Sequence, residues 1–332
     1  MKQRPFGRTN IPVSEVGLGT WQIGSEWGPI SEKDSLEVLR AAYENGVTFF
    51  DTADIYGLGK SERLIARFKE DLKQEGKEPN LFIATKLGRM PDPGIPENFS
   101  FRNFQKFCQN SRERLQVDSL DLTQLHCIPK QYLENGEVFD WLRDLKSQNY
   151  IRHFGASVES MEEALICMEQ EDLASLQIIF NIFRQRPIKQ LFTIAREKGV
   201  ALIIRLPLAS GLLSGKMTRD TEFDPTDHRN FNRNGEKFNV GETFAGLPFE
   251  IGVDLANELK QYVPEGMTMA QMALRWILDF DAVTTIIPGA RNCQQVESNC
   301  SASDLPPLGQ SLHNILSDFF ENQVQQHIRG PQ

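Results

Sequence analysis

Short apolar runs alternate with longer amphipathic stretches along almost the whole chain. The apolar runs predict strands near Val16–Thr20, Val47–Asp51, Leu81–Lys86, Leu120–His126, Ile151–Ser157, Leu176–Asn181, Val200–Leu206 and Val283–Pro288. Helix signals fill the spacers. Ser31 with Asp34 three residues on reads as a capping box, Leu36, Leu39 and Tyr43 follow at helical spacing, and Gly46 closes the element. Phe104, Phe107, Cys108 and Leu115 mark another amphipathic helix, and Thr268 with Gln271 opens the one carrying Met272 and Trp276. Strands and helices in alternation predict a parallel sheet, and eight such units close into an α/β fold of the (β/α)8 TIM-barrel type, one domain over residues 1–332. Two segments depart from the pattern. Ser214 to about Pro248, after strand seven, is polar and without period, the mark of a functional loop. The run from Ser311 to Ile328 puts Leu312, Ile315, Leu316, Phe319, Phe320 and Val324 on one stripe, predicting a C-terminal helix packed on the barrel wall.

Side chains on a strand alternate between faces, so Val47, Phe49 and Asp51 share one. Phe82 and Ala84 go with Lys86, and Leu122 and Gln124 with His126. A carboxylate, an ammonium and an imidazole thus end three successive strands. If those faces look into one barrel, the groups meet at its mouth. Tyr56 follows in the loop Asp51-Thr52-Ala53-Asp54-Ile55-Tyr56-Gly57. A free phenol has a pKa of about 10, too high for efficient proton exchange near neutrality. A cation about 4 Å away, at an effective dielectric of about 20, favours the phenolate by roughly 4 kcal/mol, or about three pKa units. Lys86 supplies that cation, Asp51 holds it, and a neutral His126 donates to a substrate oxygen. Together they suit a carbonyl whose oxygen gains a proton while its carbon gains a hydride. A buried Asp–Lys pair or a strand-end His is usually structural when alone; their conjunction points to catalysis. Cys127, one step beyond His126, is expected by parity to point away from the mouth into the core.

The net charge of −9 argues against nucleic acid or an anionic membrane as partner. Five cysteines without a CxxC pair, a polar start without an apolar h-region and the lack of any run of about 18 apolar residues point to a cytoplasmic protein. No metal is expected, and the oligomeric state is open. Gly17-Leu18-Gly19 is not a Rossmann fingerprint, because Gln22 stands where the third glycine belongs. Gly211 to Lys216 is not a P-loop, because only three residues separate its glycines. Pro288-Gly289-Ala290-Arg291 should lead into a helix N-terminus suited to an anion, with the Arg291 fork matching a phosphate.

At these residues the chain resembles the aldo-keto reductase family, over nearly its whole length. The blocks that carry the resemblance are Gly17-Leu18-Gly19-Thr20-Trp21, Phe50 to Gly57 with Ser61-Glu62, Ile83-Ala84-Thr85-Lys86 and Ser111 to Leu115 leading to Asp121–His126. Gly211-Leu212-Leu213-Ser214-Gly215-Lys216 and Ile287-Pro288-Gly289-Ala290-Arg291-Asn292 follow in the same order. The resemblance implies NADPH/NADP+ extended across the C-terminal mouth and a small-molecule carbonyl substrate reduced with Tyr56 as acid, supported by Lys86, Asp51 and His126. It implies cofactor contacts from Gly19, Thr20, Trp21 and Asp51, from Ser157 and Gln177 at the nicotinamide amide, and from Arg205, Pro207, Leu208, Gly211 and Leu213. Ser214 and Lys216 fall near the pyrophosphate, and Gly289, Arg291, Gln295 and Asn299 near the adenosine end. Three positions depart from the pattern: Val158 replaces a frequent Asn, Arg205 replaces a frequent aromatic stacked on the nicotinamide, and Phe180 replaces a frequent Tyr. The loop after strand seven and the segments Trp21–Trp27 and Gly88–Phe101 are expected to shape the pocket. Two rivals are a regulatory subunit resembling the barrel β-subunits of potassium channels, for which no docking tail reads, and a Schiff-base lyase using Lys86.

Overall fold

The computed structural model describes residues 1–24 and 26–332; Ser25, inside the expected pocket segment Trp21–Trp27, lies outside the described residues. The chain begins with an antiparallel hairpin that the periodicity does not announce, β1 (Gln3–Pro5) and β2 (Pro12–Ser14). Eight parallel strands follow: β3 (Leu18–Gly19), β4 (Phe49–Asp51), β5 (Phe82–Leu87), β6 (Leu120–His126), β7 (Ile151–Ser157), β8 (Ser175–Ile179), β9 (Ala201–Arg205) and β10 (Val283–Ile286). They pair in chain order. Parallel bridges Val16–Ile286 and Gly19–Gly289 join the two ends, so the sheet is a nearly closed (β/α)8 barrel. At that seam Gly19 is obligatory, because a Cβ there would stand 2.7 Å from the Ile287 carbonyl oxygen.

Period-two alternation sorts the side chains as expected. Phe49, Phe82, Ala84, Leu122, Ala201, Ile203 and Ile287 fill the inside of the barrel, and Phe6 and Val13 of the hairpin join them, plugging its base. Phe50, Ile83, Leu125, Ile178 and Ile204 face outward into the larger core beneath the helices. Val47 belongs to that outer core, against the expected parity with Asp51, because β4 begins only at Phe49. The outer layer includes helices Glu32–Glu44, Lys60–Gln74, Phe101–Leu115, Glu137–Ser147 and Met269–Leu278. Ser31 caps the first of these through the Asp34 N–H, and Thr268 with Gln271 forms a complete capping box on the last.

The two irregular segments differ from expectation in detail. The stretch after β9 holds short turns at His228–Phe231, Val240–Glu242 and Phe244–Gly246, and it buries His228, Asn232, Thr243 and Phe244. The C-terminal run is α-helical over Gln310–Phe319, widens to a π turn over Phe320–Val324 and tightens to a 3-10 turn over Gln325–His327. The buried face is centred on Leu316 and Phe319, and Ile315 stands at its edge, before the widening begins. Leu316, Phe319, Phe320 and Val324 are buried, but Ile315 is 37% exposed. Among the described residues, no helix is long and apolar enough to cross a membrane.

Candidate active site

β4, β5 and β6 end side by side, and their inward parity delivers Asp51, Lys86 and His126 to the same end of the barrel. Lys86 Nζ donates to Asp51 Oδ1 at 2.5 Å, to the Thr52 carbonyl at 2.8 Å and to Tyr56 Oη at 3.3 Å. All three ammonium donors are therefore in use on a side chain only 1% exposed. Asp51 Oδ2 accepts from Gln177 Nε2 at 2.7 Å and from Gln124 Nε2 at 3.4 Å, and Gln177 Oε1 accepts from Ser157 Oγ at 3.4 Å. The His126 ring stands edge-on to Tyr56, centroids 5.8 Å apart.

Electrostatics then sets the protonation states. Burial works to lower the Lys86 pKa, but Asp51 and Tyr56 together outweigh it, so the net shift is upward and Lys86 stays an ammonium. Burial, reinforced by Arg89 and Lys86, drives the His126 pKa well below its usual value, which leaves a neutral imidazole. Tyr56 departs from expectation. Lys86 does pull its pKa down, but burial is larger and Asp51 adds to it, so the phenol is pushed up to about 12. Charge distance alone gave the wrong sign because it omitted desolvation.

A cleft of about 1030 Å³ runs from this group across the barrel mouth. Asp51, Tyr56, His126, Gly19, Trp21, Ser157, Gln177, Arg205, Pro207, Leu208, Gly211, Ser214, Lys216, Gly289, Arg291, Gln295 and Asn299 line it, as do Trp27, Gly88, Arg89 and Ile95 from the expected pocket segments. Three expected residues are not brought to its wall. Lys86 lies beneath it; Thr20 is buried, its hydroxyl donating to the Asp51 carbonyl at 2.8 Å; Leu213 is buried in the outer core. Arg291 precedes the helix Cys293–Ser301, with Nη1 on the Trp27 carbonyl and Nη2 on the Pro29 carbonyl, both at 2.6 Å. Phe180 is packed against Trp276, Phe192 and Phe280.

Cys127 is a correction. It does not turn into the core but lines the cleft, its Sγ 3.4 Å from Ser157 Oγ. Its φ of +47° ends the strand in a left-handed turn, and parity fails beyond the last extended residue. Sequence reasoning covered Arg89 and Glu242 only within segments expected to shape the pocket, without singling them out, and missed Glu159. Arg89 and Glu159 stand two or three residues past strand-end site residues and were findable on that ground. Glu242 comes from a 3-10 turn of the long loop and reaches the cleft only through tertiary packing. That loop also brings His228 and Phe238 against Trp21, and His228 against Trp27, joining it to the Trp21–Trp27 segment.

A barrel with this cleft at its C-terminal mouth is an enzyme scaffold, and the sequence model of the Aldo/keto reductase family matches residues 15–319. The chain belongs to that family. It is similar to aldo-keto reductase YhdN of Bacillus subtilis, 29% identical over 96% of each chain. It is also similar to the NADH-specific methylglyoxal reductase of Escherichia coli, 26% identical over 92% of this chain and 94% of that one. In fold it is similar to an aldo/keto reductase from Klebsiella pneumoniae solved in complex with NADP and acetate, at TM-score 0.71 and 21% identity, covering 100% of this chain and 99% of that one.

Proposed function

We propose that this chain reduces an aldehyde or ketone to the alcohol with NADPH, and that Tyr56 gives the proton. The observation that carries the reading is the Asp51–Lys86–Tyr56 chain beside a neutral His126 at one end of the cleft. The cleft would hold a reduced nicotinamide beside Ser157 and Gln177, and the chemistry that group would supply is a hydride for the carbonyl carbon. Everything else falls to the protein. Tyr56 is protonated at neutral pH and donates from Oη to the carbonyl oxygen as it gains charge. Lys86, fixed by Asp51, offers positive charge 3.3 Å from Oη, where negative charge develops as the proton leaves. His126, neutral, donates a hydrogen bond to the same substrate oxygen and orients it.

The donor set along the cleft suits a dinucleotide. Ser157 and Gln177 are amide partners at the reacting end, Ser214 and Lys216 serve a pyrophosphate, Arg291 and Gln295 lie at the start of Cys293–Ser301, whose free N–H groups favour an anion, and Asn299 lines the cleft from its last turn. Arg291 spends two N–H donors on carbonyls, and a guanidinium has five, so a phosphate is still within its capacity. Schiff-base chemistry on Lys86 is disfavoured, since an ammonium with every donor engaged is no nucleophile. The test is cofactor consumption: NADPH and NADH are each offered with a panel of aldehydes, ketones, sugars and quinones. Oxidation of NADPH that stops in Tyr56→Phe supports the reading, and no turnover with any carbonyl sinks it.

A further inference from the structure

Arg89, Glu159, Arg205 and Glu242 form one wall of the cleft and have no part in the proton transfer described above. Arg89 Nη2 donates to Glu159 Oε1 and to Glu242 Oε1, each at 2.9 Å. Arg205 Nη1 lies 3.6 Å from Glu242 Oε2, while its Nη2 donates to the Val158 carbonyl at 3.1 Å and reaches Cys127 Sγ at 3.5 Å. Arg205 is only 9% exposed, yet its Nε has no hydrogen-bond partner. A buried guanidinium N–H without an acceptor is costly. That Nε is itself sealed from the cleft, but Nη1, which makes no hydrogen bond and only approaches Glu242 at 3.6 Å, is the donor left open to an acceptor on a molecule entering the cleft. A second acceptor on a guanidinium is best supplied as a carboxylate, whose planar pair of oxygens matches the fork.

We propose that this wall is a subsite for a carboxylate on the substrate, so that the preferred carbonyl compounds are oxo acids and aldehyde acids. The proposal rests on the carbonyl-reducing reading above and names its substrate class.

The charge balance of the wall supports an anion. Glu242, though buried, is held well below the usual carboxylate range by Arg89 and Arg205 and stays ionised. Glu159 is pushed up to about 7 by burial and by its hydrogen-bonded neighbour Glu242. Near neutrality it therefore carries a proton much of the time, and the wall then holds two cations against one anion. Glu159 is faced by Arg89 from beyond β5, by Glu242 and Asn239 from the long loop, by Cys127 and Arg205 within the same wall, and by Glu163 on its own side, which accepts its N–H at 2.7 Å. When Glu159 ionises, the positive surplus vanishes and a substrate carboxylate loses its attraction. Cys127, Glu159 and Glu242 also place ligand-type atoms within 4.8 Å of one another. Two guanidiniums already occupy the place a cation would take, so the wall favours an anion over a metal ion.

The experiment compares two aldehydes of equal chain length, 4-oxobutanoate and butanal, through the ratio of their kcat/KM values across pH. The ratio should favour 4-oxobutanoate by about tenfold or more near pH 6.5 and fall about fivefold by pH 8.5, as Glu159 loses its proton. Glu159→Gln, which keeps the shape of the protonated acid, should hold the ratio high and flat with pH. Arg205→Gln should lower it. A ratio that favours butanal throughout, or that Arg205→Gln leaves unchanged, overturns the proposal. If neither aldehyde is reduced, the carbonyl-reducing reading is left to the wider panel, and calorimetry with butanoate and with butanol decides the subsite independently of it. Butanoate binding that weakens from pH 6.5 to 8.5, as about one proton is lost, supports it, and no preference for butanoate overturns it.

Discussion

Gln177 Nε2 donates to Asp51 Oδ2 at 2.7 Å, although the two residues stand on strands facing each other across the barrel. This bond ties the carboxylate that holds Lys86 to the far wall of the cleft. Gln177→Leu leaves Asp51 Oδ2 with only Gln124 at 3.4 Å. Unfolding in urea should then show a loss of about 1–3 kcal/mol, the usual cost of an under-satisfied buried acceptor. An unchanged midpoint would mean that the interaction carries no net stability.

Tyr56→Phe should keep cofactor affinity within a few-fold while turnover falls by about 10² or more, as for loss of a general acid. The elevated phenol pKa adds a pH signature. With Tyr56 protonated up to about 12 in the ligand-free protein, kcat/KM for reduction should show no Tyr-linked fall below about pH 10. Lys86→Met removes the group that pulls this pKa down, so the phenol should titrate still higher. A reduction profile that breaks near neutrality in wild type and flattens in Tyr56→Phe would contradict this.

Arg291→Ala should weaken NADPH binding by more than about tenfold and leave NADH nearly unchanged, the effect of losing about 1.5–3 kcal/mol of charge-assisted contact to a 2′-phosphate. Fluorescence titration of both cofactors decides it. Equal weakening of the two would assign Arg291 instead to anchoring the Trp27 and Pro29 carbonyls.

His228 gives a stability test. Burial holds its pKa down at about 4 against the ordinary 6.5, despite the opposing pull of Asp227. The folded ring stays neutral while the unfolded one charges, so its contribution is present above pH 6.5 and is lost as pH falls towards 4. The loss amounts to about 3 kcal/mol. Glu159, whose pKa is raised, acts in the opposite sense over this range, but it does so in any His228 variant too. Urea midpoints should therefore fall less between neutral pH and pH 4.5, where most of the window has been crossed, in His228→Phe than in wild type. Identical falls would mean that His228 does not titrate differently on unfolding.

The barrel and its three strand-end groups were legible because period-two alternation is written directly into Phe82-Ile83-Ala84-Thr85-Lys86 and Leu122-Thr123-Gln124-Leu125-His126. The hairpin of β1 and β2 was not, since three-residue strands that both contain proline leave no period to read. Cys127 was misplaced for want of one dihedral angle. The Tyr56 pKa was misjudged because sequence supplies neighbouring charges but not the water they displace. Glu242 could not be singled out because only a folded loop, packed by Phe244 and Asn232, carries it back over the mouth.

The seam between Val16 and Ile286 has a consequence for how the protein is made. The strands bearing Asp51, Lys86 and His126 leave the ribosome long before Ile286 does. Until then β3 has no neighbour on one side, and the glycine-lined gap at Gly17 and Gly19 is an open strand edge. During synthesis the nascent chain thus holds its reactive groups on an unfinished, unsealed sheet. A chaperone that shelters this edge should matter most while the last third of the chain is being translated.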